Sequence, residues 1–117
     1  MGSILSSLFG RGQTVANLDS ETFEKMINEI DDAVILDVRT QDEYKTVRIP
    51  NSILIDIYKP TFLGEIEKLD RNKTYFIYCR SGSRSHHAAV QMQKMGFEKV
   101  YNLESGIIQW FGPVENN

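Results

Sequence analysis

The stretch Ala33-Val34-Ile35-Leu36-Asp37-Val38 is apolar at all but one position and shows no period-two alternation. A strand with one face in water alternates apolar and polar residues. One without alternation must be covered on both faces, which is the setting of a parallel sheet held between helices. Parallel neighbours cannot be joined by a tight hairpin, so the chain must supply long crossovers, usually helical. It does so repeatedly.

Gln13-Thr14-Val15-Ala16-Asn17 reads as a brief strand and Leu18-Asp19 as the entry to a helix. Asp19 is its expected cap, Glu21 suits its positive end, and Leu18 is placed to staple onto Phe23. Phe23, Met26, Ile27 and Ile30 then share one helical face. Beyond the 33–38 run, a short helix around 41–44 leads into the turn Arg48-Ile49-Pro50-Asn51-Ser52 and a third strand, Ile53-Leu54-Ile55. Phe62, Leu63, Ile66 and Leu69 mark another amphipathic helix, with Pro60 near its start. Thr74-Tyr75-Phe76-Ile77-Tyr78 is the next strand. On the helix after it, Ala88, Ala89, Met92 and Met95 face one way, as core residues, and Gly96 is the stop. Lys99-Val100-Tyr101-Asn102 resumes as a strand, and a last short helix carries Ile107, Ile108 and Trp110. The alternation predicts an α/β domain with a mainly parallel sheet.

The 117 residues suffice for one domain with a real core. We assign residues 13–117 to that domain and residues 1–12 to a leader. The leader lacks the basic start and long apolar centre of a signal peptide. Its Met-Gly-x-x-x-Ser opening matches a myristoylation pattern. Ile4, Leu5, Leu8 and Phe9 would share one face of a short helix, so the leader is flexible, docked on the domain, or in contact with a membrane. No apolar run approaches the ~18 residues of a membrane span, and a cytoplasmic location is expected. The formal net charge of −3 argues against a general nucleic-acid binder, so any attraction for anions must be local. A single cysteine excludes an internal disulfide.

The local charge lies in Cys79-Arg80-Ser81-Gly82-Ser83-Arg84-Ser85, between a strand and a helix that begins near Ser83. In open α/β sheets, ligands bind beyond the carboxyl ends of the strands. A strand end, a tight loop and a helix N-terminus together make an anion cradle, to which the helix dipole adds roughly half a positive charge. Such surroundings lower a cysteine pKa, so Cys79 is expected to be a thiolate nucleophile. A lone cysteine is more commonly an inert core thiol, but the Gly/Ser/Arg-rich loop after it argues against that here. Arg80 either docks an anion or is a solvated surface charge. Ser81, Ser83 and Ser85 can donate hydroxyls to an anion, and Ser83 or Ser85 can instead cap the helix. Arg39 with Asp37 or Glu43 reads as a structural ion pair. His86 and His87 are adjacent on a helix and diverge. With no second cysteine, zinc is not expected.

The loop Cys79-Arg80-Ser81-Gly82-Ser83-Arg84-Ser85 resembles the active-site loop of the rhodanese family of sulfurtransferases. Asp37-Val38-Arg39 with Asp42-Glu43-Tyr44 is similar to that family's Asp-Val-Arg segment and its downstream Glu-Tyr or Glu-Phe. Arg48-Ile49-Pro50-Asn51-Ser52 resembles its His-Ile-Pro-Gly-Ala turn, and Leu103-Glu104-Ser105-Gly106 with Trp110 its closing Gly-Gly helix and tryptophan. The matches run in order from about Val34 to Trp110. Val47 and Arg48 depart from the usual Gly-His, Ser105 from a glycine, and Asn51 from a glycine that Asn replaces best where φ is positive.

The resemblance implies a three-layer α/β/α fold and a two-step sulfur transfer without metal or organic cofactor. Cys79 would take a sulfur from a small anionic donor such as thiosulfate, carry it as a persulfide, and pass it to a thiol or cyanide. Arg84 stands at the family's arginine and is implied to bind the donor, with Arg80, Ser81, Gly82, Ser83 and Ser85 forming the rest of the site. Two rivals remain. The protein could be a persulfide carrier or sensor serving a sulfur-relay protein, or a phosphatase of the same fold. The phosphatase loops resemble Cys-x5-Arg, whereas four residues separate Cys79 from Arg84.

Overall fold

A computed structural model describes residues 15–116. The leader, and with it the amphipathic and myristoylation readings, lies outside the described residues. Five strands, β1 (Ala16–Leu18), β2 (Ala33–Asp37), β3 (Ile53–Leu54), β4 (Thr74–Tyr78) and β5 (Val100–Leu103), form one sheet in the order β1-β5-β4-β2-β3. Every pairing in it is parallel. Around it lie the helices α1 (Ser20–Glu29), α2 (Gln41–Thr46), α3 (Phe62–Glu67) and α4 (Ser83–Lys94), with one closing turn of 3-10 helix at Ile107–Gln109. The third strand and the closing helix are therefore shorter than the sequence pattern suggests.

The sheet sorts its side chains by the two-residue period of a strand. Tyr75, Ile77 and Cys79 join a buried cluster with Phe62 and Ile66 of α3 and Ala88, Ala89 and Met92 of α4. Phe76 and Tyr78 go to the other face, into a cluster with Phe23 of α1, Ile49 and Leu103. β4 is central and buried at all five positions. Its last residue is thus delivered to the middle of the sheet's carboxyl edge, with helices on both sides. The alanines of α4 are fully buried, which lets that helix sit close to the strand it follows.

Local chemistry fixes the element ends. Asp19 caps α1 by accepting from Thr22 N at 2.8 Å. A reciprocal capping box opens α2, with Thr40 Oγ1 accepting from Glu43 N at 3.3 Å and Glu43 Oε1 accepting from Thr40 N at 3.0 Å. Asn51 has φ 67°, the left-handed turn that its replacement of a glycine implied.

Beneath the carboxyl edge, Arg39 pairs with Asp37 and not with Glu43. Arg39 Nη2 lies 2.6 Å from Asp37 Oδ2 and Nε 2.9 Å from Oδ1, both residues being buried. Arg39 Nη2 also donates to Val47 O at 2.6 Å, tying the end of α2 to β2. Removing one partner of such a pair leaves an uncompensated buried charge, costing about 3–5 kcal/mol. Asp37→Asn should therefore lose about that much in urea unfolding; a loss under ~1 kcal/mol would show that the pair is dispensable.

Candidate active site

The loop after β4 turns back so tightly that hydrogen-bond donors surround one sulfur atom. Cys79 is fully buried, and its Sγ accepts from Gly82 N at 3.1 Å, Ser85 N at 3.4 Å and Ser85 Oγ at 3.3 Å. Burial pushes the thiol up. The Ser85 hydroxyl and the N–H groups of Ser85, Gly82 and Ser81 outweigh that effect, and its pKa lies below the ordinary value. The Ser85 hydroxyl has a single proton and two acceptors at equal distance, Sγ and Gly82 O, each 3.3 Å away. A charged acceptor draws the stronger hydrogen bond, so deprotonation of Cys79 recruits that proton to the sulfur.

The winding depends on two glycines. Gly82 caps α4 at φ 99°, and a Cβ there would lie 1.9 Å from Glu104 O. Gly106 has φ 73°, and a Cβ there would lie 2.0 Å from Arg80 O. The loop after β5 is thus pressed, backbone on backbone, against the cradle. It is also bonded to it, because Ile107 N donates to Cys79 O at 2.9 Å and Ile108 N to Arg80 O at 3.1 Å. The buried Asn102 donates to Gly82 O at 3.2 Å and to Asn17 Oδ1 at 2.9 Å, linking β5, β1 and the loop.

The residues singled out in the loop separate by environment. No serine side chain caps α4. Gly82 holds that position, and Ser85 is buried and turned to the sulfur, while Ser81 and Ser83 stand exposed at the rim. Arg84 is engaged rather than open. Its Nη1 and Nη2 lie 2.9 Å from Glu43 Oε1 and Oε2, and its guanidinium sits 5.6 Å from the Tyr58 ring centroid. The pair acts on both members. Hydrogen bonding to Arg84 is the main reason the Glu43 carboxyl is pulled down to about 2, and the same bonds push Arg84 further up. Arg80 is exposed, and among the described residues its side chain makes no ion pair or hydrogen bond. The His86 and His87 rings do not point apart as expected but lie edge to face, with centroids 6.4 Å apart and planes at 82°.

Glu43 is the member that the sequence placed elsewhere, as an alternative partner of Arg39, whereas it pairs with Arg84. Thr40-x-x-Glu43 is a legible capping box, which gives the acid a sufficient local role. Its second role requires α2 and α4 to meet at the carboxyl edge, and no spacing between positions 43 and 84 announces that.

If the cradle holds a thiolate, the rate of Cys79 alkylation by iodoacetamide should rise with pH through a midpoint below 9.0. Ser85→Ala removes one donor to the anion and should move that midpoint upward. A wild-type midpoint at or above 9.0, or one unmoved in Ser85→Ala, would contradict this geometry.

Comparisons with known proteins identify the family. The family model described as "Rhodanese-like domain" matches residues 19–112. A Bacillus subtilis protein, YrkF, named as a candidate sulfur carrier, is 36% identical over 106 residues, 87% of this chain and 54% of that protein. This chain thus spans about half the length of the Bacillus relative. A sulfurtransferase of Allochromatium vinosum is 33% identical over 97 residues, covering 82% of this chain and 88% of the relative. The crystal structure of a rhodanese-related protein from Thermoplasma volcanium superposes with a TM-score of 0.76 at 27% identity, over 87% of this chain and 99% of that one. With the matched residues reaching from the cap of the first helix to the closing turn, the chain belongs to the rhodanese-like domain family.

Proposed function

We propose that this protein is a sulfurtransferase that carries sulfane sulfur as a persulfide on Cys79. The observation that carries the reading is the convergence of Gly82 N, Ser85 N and Ser85 Oγ on one sulfur. With thiosulfate as donor, the Cys79 thiolate attacks the outer sulfur. A bond forms between Sγ and that sulfur, the sulfur–sulfur bond of thiosulfate breaks, and its electron pair leaves with sulfite. The negative charge then resides on the terminal sulfur of the persulfide, where preorganised N–H groups stabilise it as an oxyanion hole does. An acceptor thiolate or cyanide attacks that terminal sulfur and returns Cys79 to the thiolate. This is covalent catalysis by an activated nucleophile, with ping-pong kinetics.

Two features weigh against phosphoryl transfer. Four residues between Cys79 and Arg84 make a small loop, whereas a phosphoryl group in flight needs donors for three equatorial oxygens. Both terminal nitrogens of Arg84 that such oxygens would need are held by Glu43. The name of the Bacillus relative keeps a dedicated carrier role open, in which the acceptor is a partner protein. Turnover with small acceptors separates the two. Because Cys79 has no exposed surface, the donor must reach it through movement of rim side chains in either case.

Cys79→Ser should reduce thiosulfate-dependent thiocyanate formation to the buffer rate while leaving the fold intact, and wild type should leave aryl phosphates untouched. Continued thiocyanate formation by the variant, or faster hydrolysis of the phosphate than use of thiosulfate by wild type, would defeat the proposal.

A further inference from the structure

Among the described residues, three of the six large apolar side chains left exposed fall within seven consecutive positions: Ile108 at 58%, Phe111 at 87% and Val114 at 48%. Single exposed apolar residues need no explanation, but a cluster of them marks a surface that another surface covers. Phe111 is the most exposed of all, and its backbone is held fast. Its N–H donates to the buried Ser20 Oγ at 2.9 Å. On one side of it, Trp110 packs edge to face on Phe23, with centroids 5.8 Å apart, and Trp110 Nε1 donates to Pro113 O at 2.9 Å. On the other side, Gly112 is so near the indole that a Cβ there would lie 2.4 Å from it. An aromatic ring presented on a fixed backbone loses little freedom when a partner buries it.

A groove of about 450 Å³ opens between the same segment and α2. Its apolar walls are Val47, Ile107, Ile108 and Val114, and the exposed Asp42 and Arg80 also line it. Among the described residues neither of these two charges has an ion-pair partner, the pairs nearby being Glu43 with Arg84 and Asp37 with Arg39. One face thus carries an apolar knob, an apolar hole and an open charge of each sign. A two-fold interface needs that combination, because a single patch must complement itself. We propose that two copies of this chain associate through this face, Phe111 of each entering the groove of the other and Arg80 of each meeting Asp42 of the other. The patch is small, so the association is weak and reversible. Ile107 and Ile108, which wall the filled groove, donate to the carbonyls of Cys79 and Arg80. Each copy therefore closes a wall beside the other's cysteine loop. The inference rests on the surface and holds whether or not the protein transfers sulfur.

Sedimentation equilibrium of the full chain, from about 5 µM to about 1 mM, should show a monomer–dimer equilibrium. Phe111→Ser should weaken it by about tenfold or more, since one substitution removes two anchors from a two-fold interface. Thermal unfolding of that variant should be unchanged, the side chain being 87% exposed. Arg80→Glu and Asp42→Arg should each weaken the dimer, and the double variant should restore it to within about threefold of wild type. Alkylation of Cys79 by iodoacetamide should slow as the wild-type monomer fraction falls, and should not depend on concentration in Phe111→Ser. A monomer at every concentration, leaving the groove to the leader or to a different protein, would overturn the inference. So would a dimer untouched by Phe111→Ser, a double variant no better than the single ones, or alkylation indifferent to wild-type association.

Discussion

The cradle depends on one steric constraint: the chain must pass residue 82 at φ 99° with its Cα against the carbonyl of Glu104. With any other residue there, the backbone would have to move away. The N–H groups of Gly82 and Ser85 would then no longer converge on Cys79 Sγ. The same contact fixes the loop after β5, and a second glycine, Gly106, packs against Arg80 O from the other side. Two glycines with positive φ thus hold two loops together at backbone distance, which side chains would prevent. Everything chemical about the sulfur follows from that closeness. Burial alone would keep Cys79 protonated, and only donors this near can reverse it.

The arginines then divide into distinct roles. Arg39 is buried and holds β2 to the end of α2 through Asp37 and Val47. Arg84 is half-withdrawn, clamped by a carboxylate that also caps α2, so it contributes charge near the cradle more than open hydrogen-bonding positions. Arg80 alone of these three faces outward. A fork-shaped guanidinium is well matched to a carboxylate, and Glu43 uses that match within the protein before any donor arrives.

Much of this was legible in the sequence. The unalternating 33–38 run demanded a doubly covered strand, and β2 sends Leu36 into one buried cluster and Ile35 into the other. Asp19, Asn51 and Gly96 act where their backbone chemistry placed them, Gly96 at φ 101° just beyond α4. The Cys79 loop could be located because a Gly/Ser/Arg-rich segment follows the lone thiol between a strand pattern and a helix pattern. What could not be read was side-chain partnership across the carboxyl edge. Arg84 looked open because its partner lies 41 residues away, and Ser85 stayed undecided between donor to the anion and helix cap because local rules name serine for the cap as well. Those assignments needed the order β1-β5-β4-β2-β3, which sets which loops meet.

The central claim is that the cradle forms and holds a persulfide on Cys79, independent of any acceptor. Mixing the protein with thiosulfate in the absence of acceptor, and measuring sulfite together with the mass of the protein, tests it directly. The account predicts a single equivalent of sulfite per chain, matched by a gain of one sulfur at Cys79 that an added thiol removes. Unmodified protein with no sulfite released would contradict it.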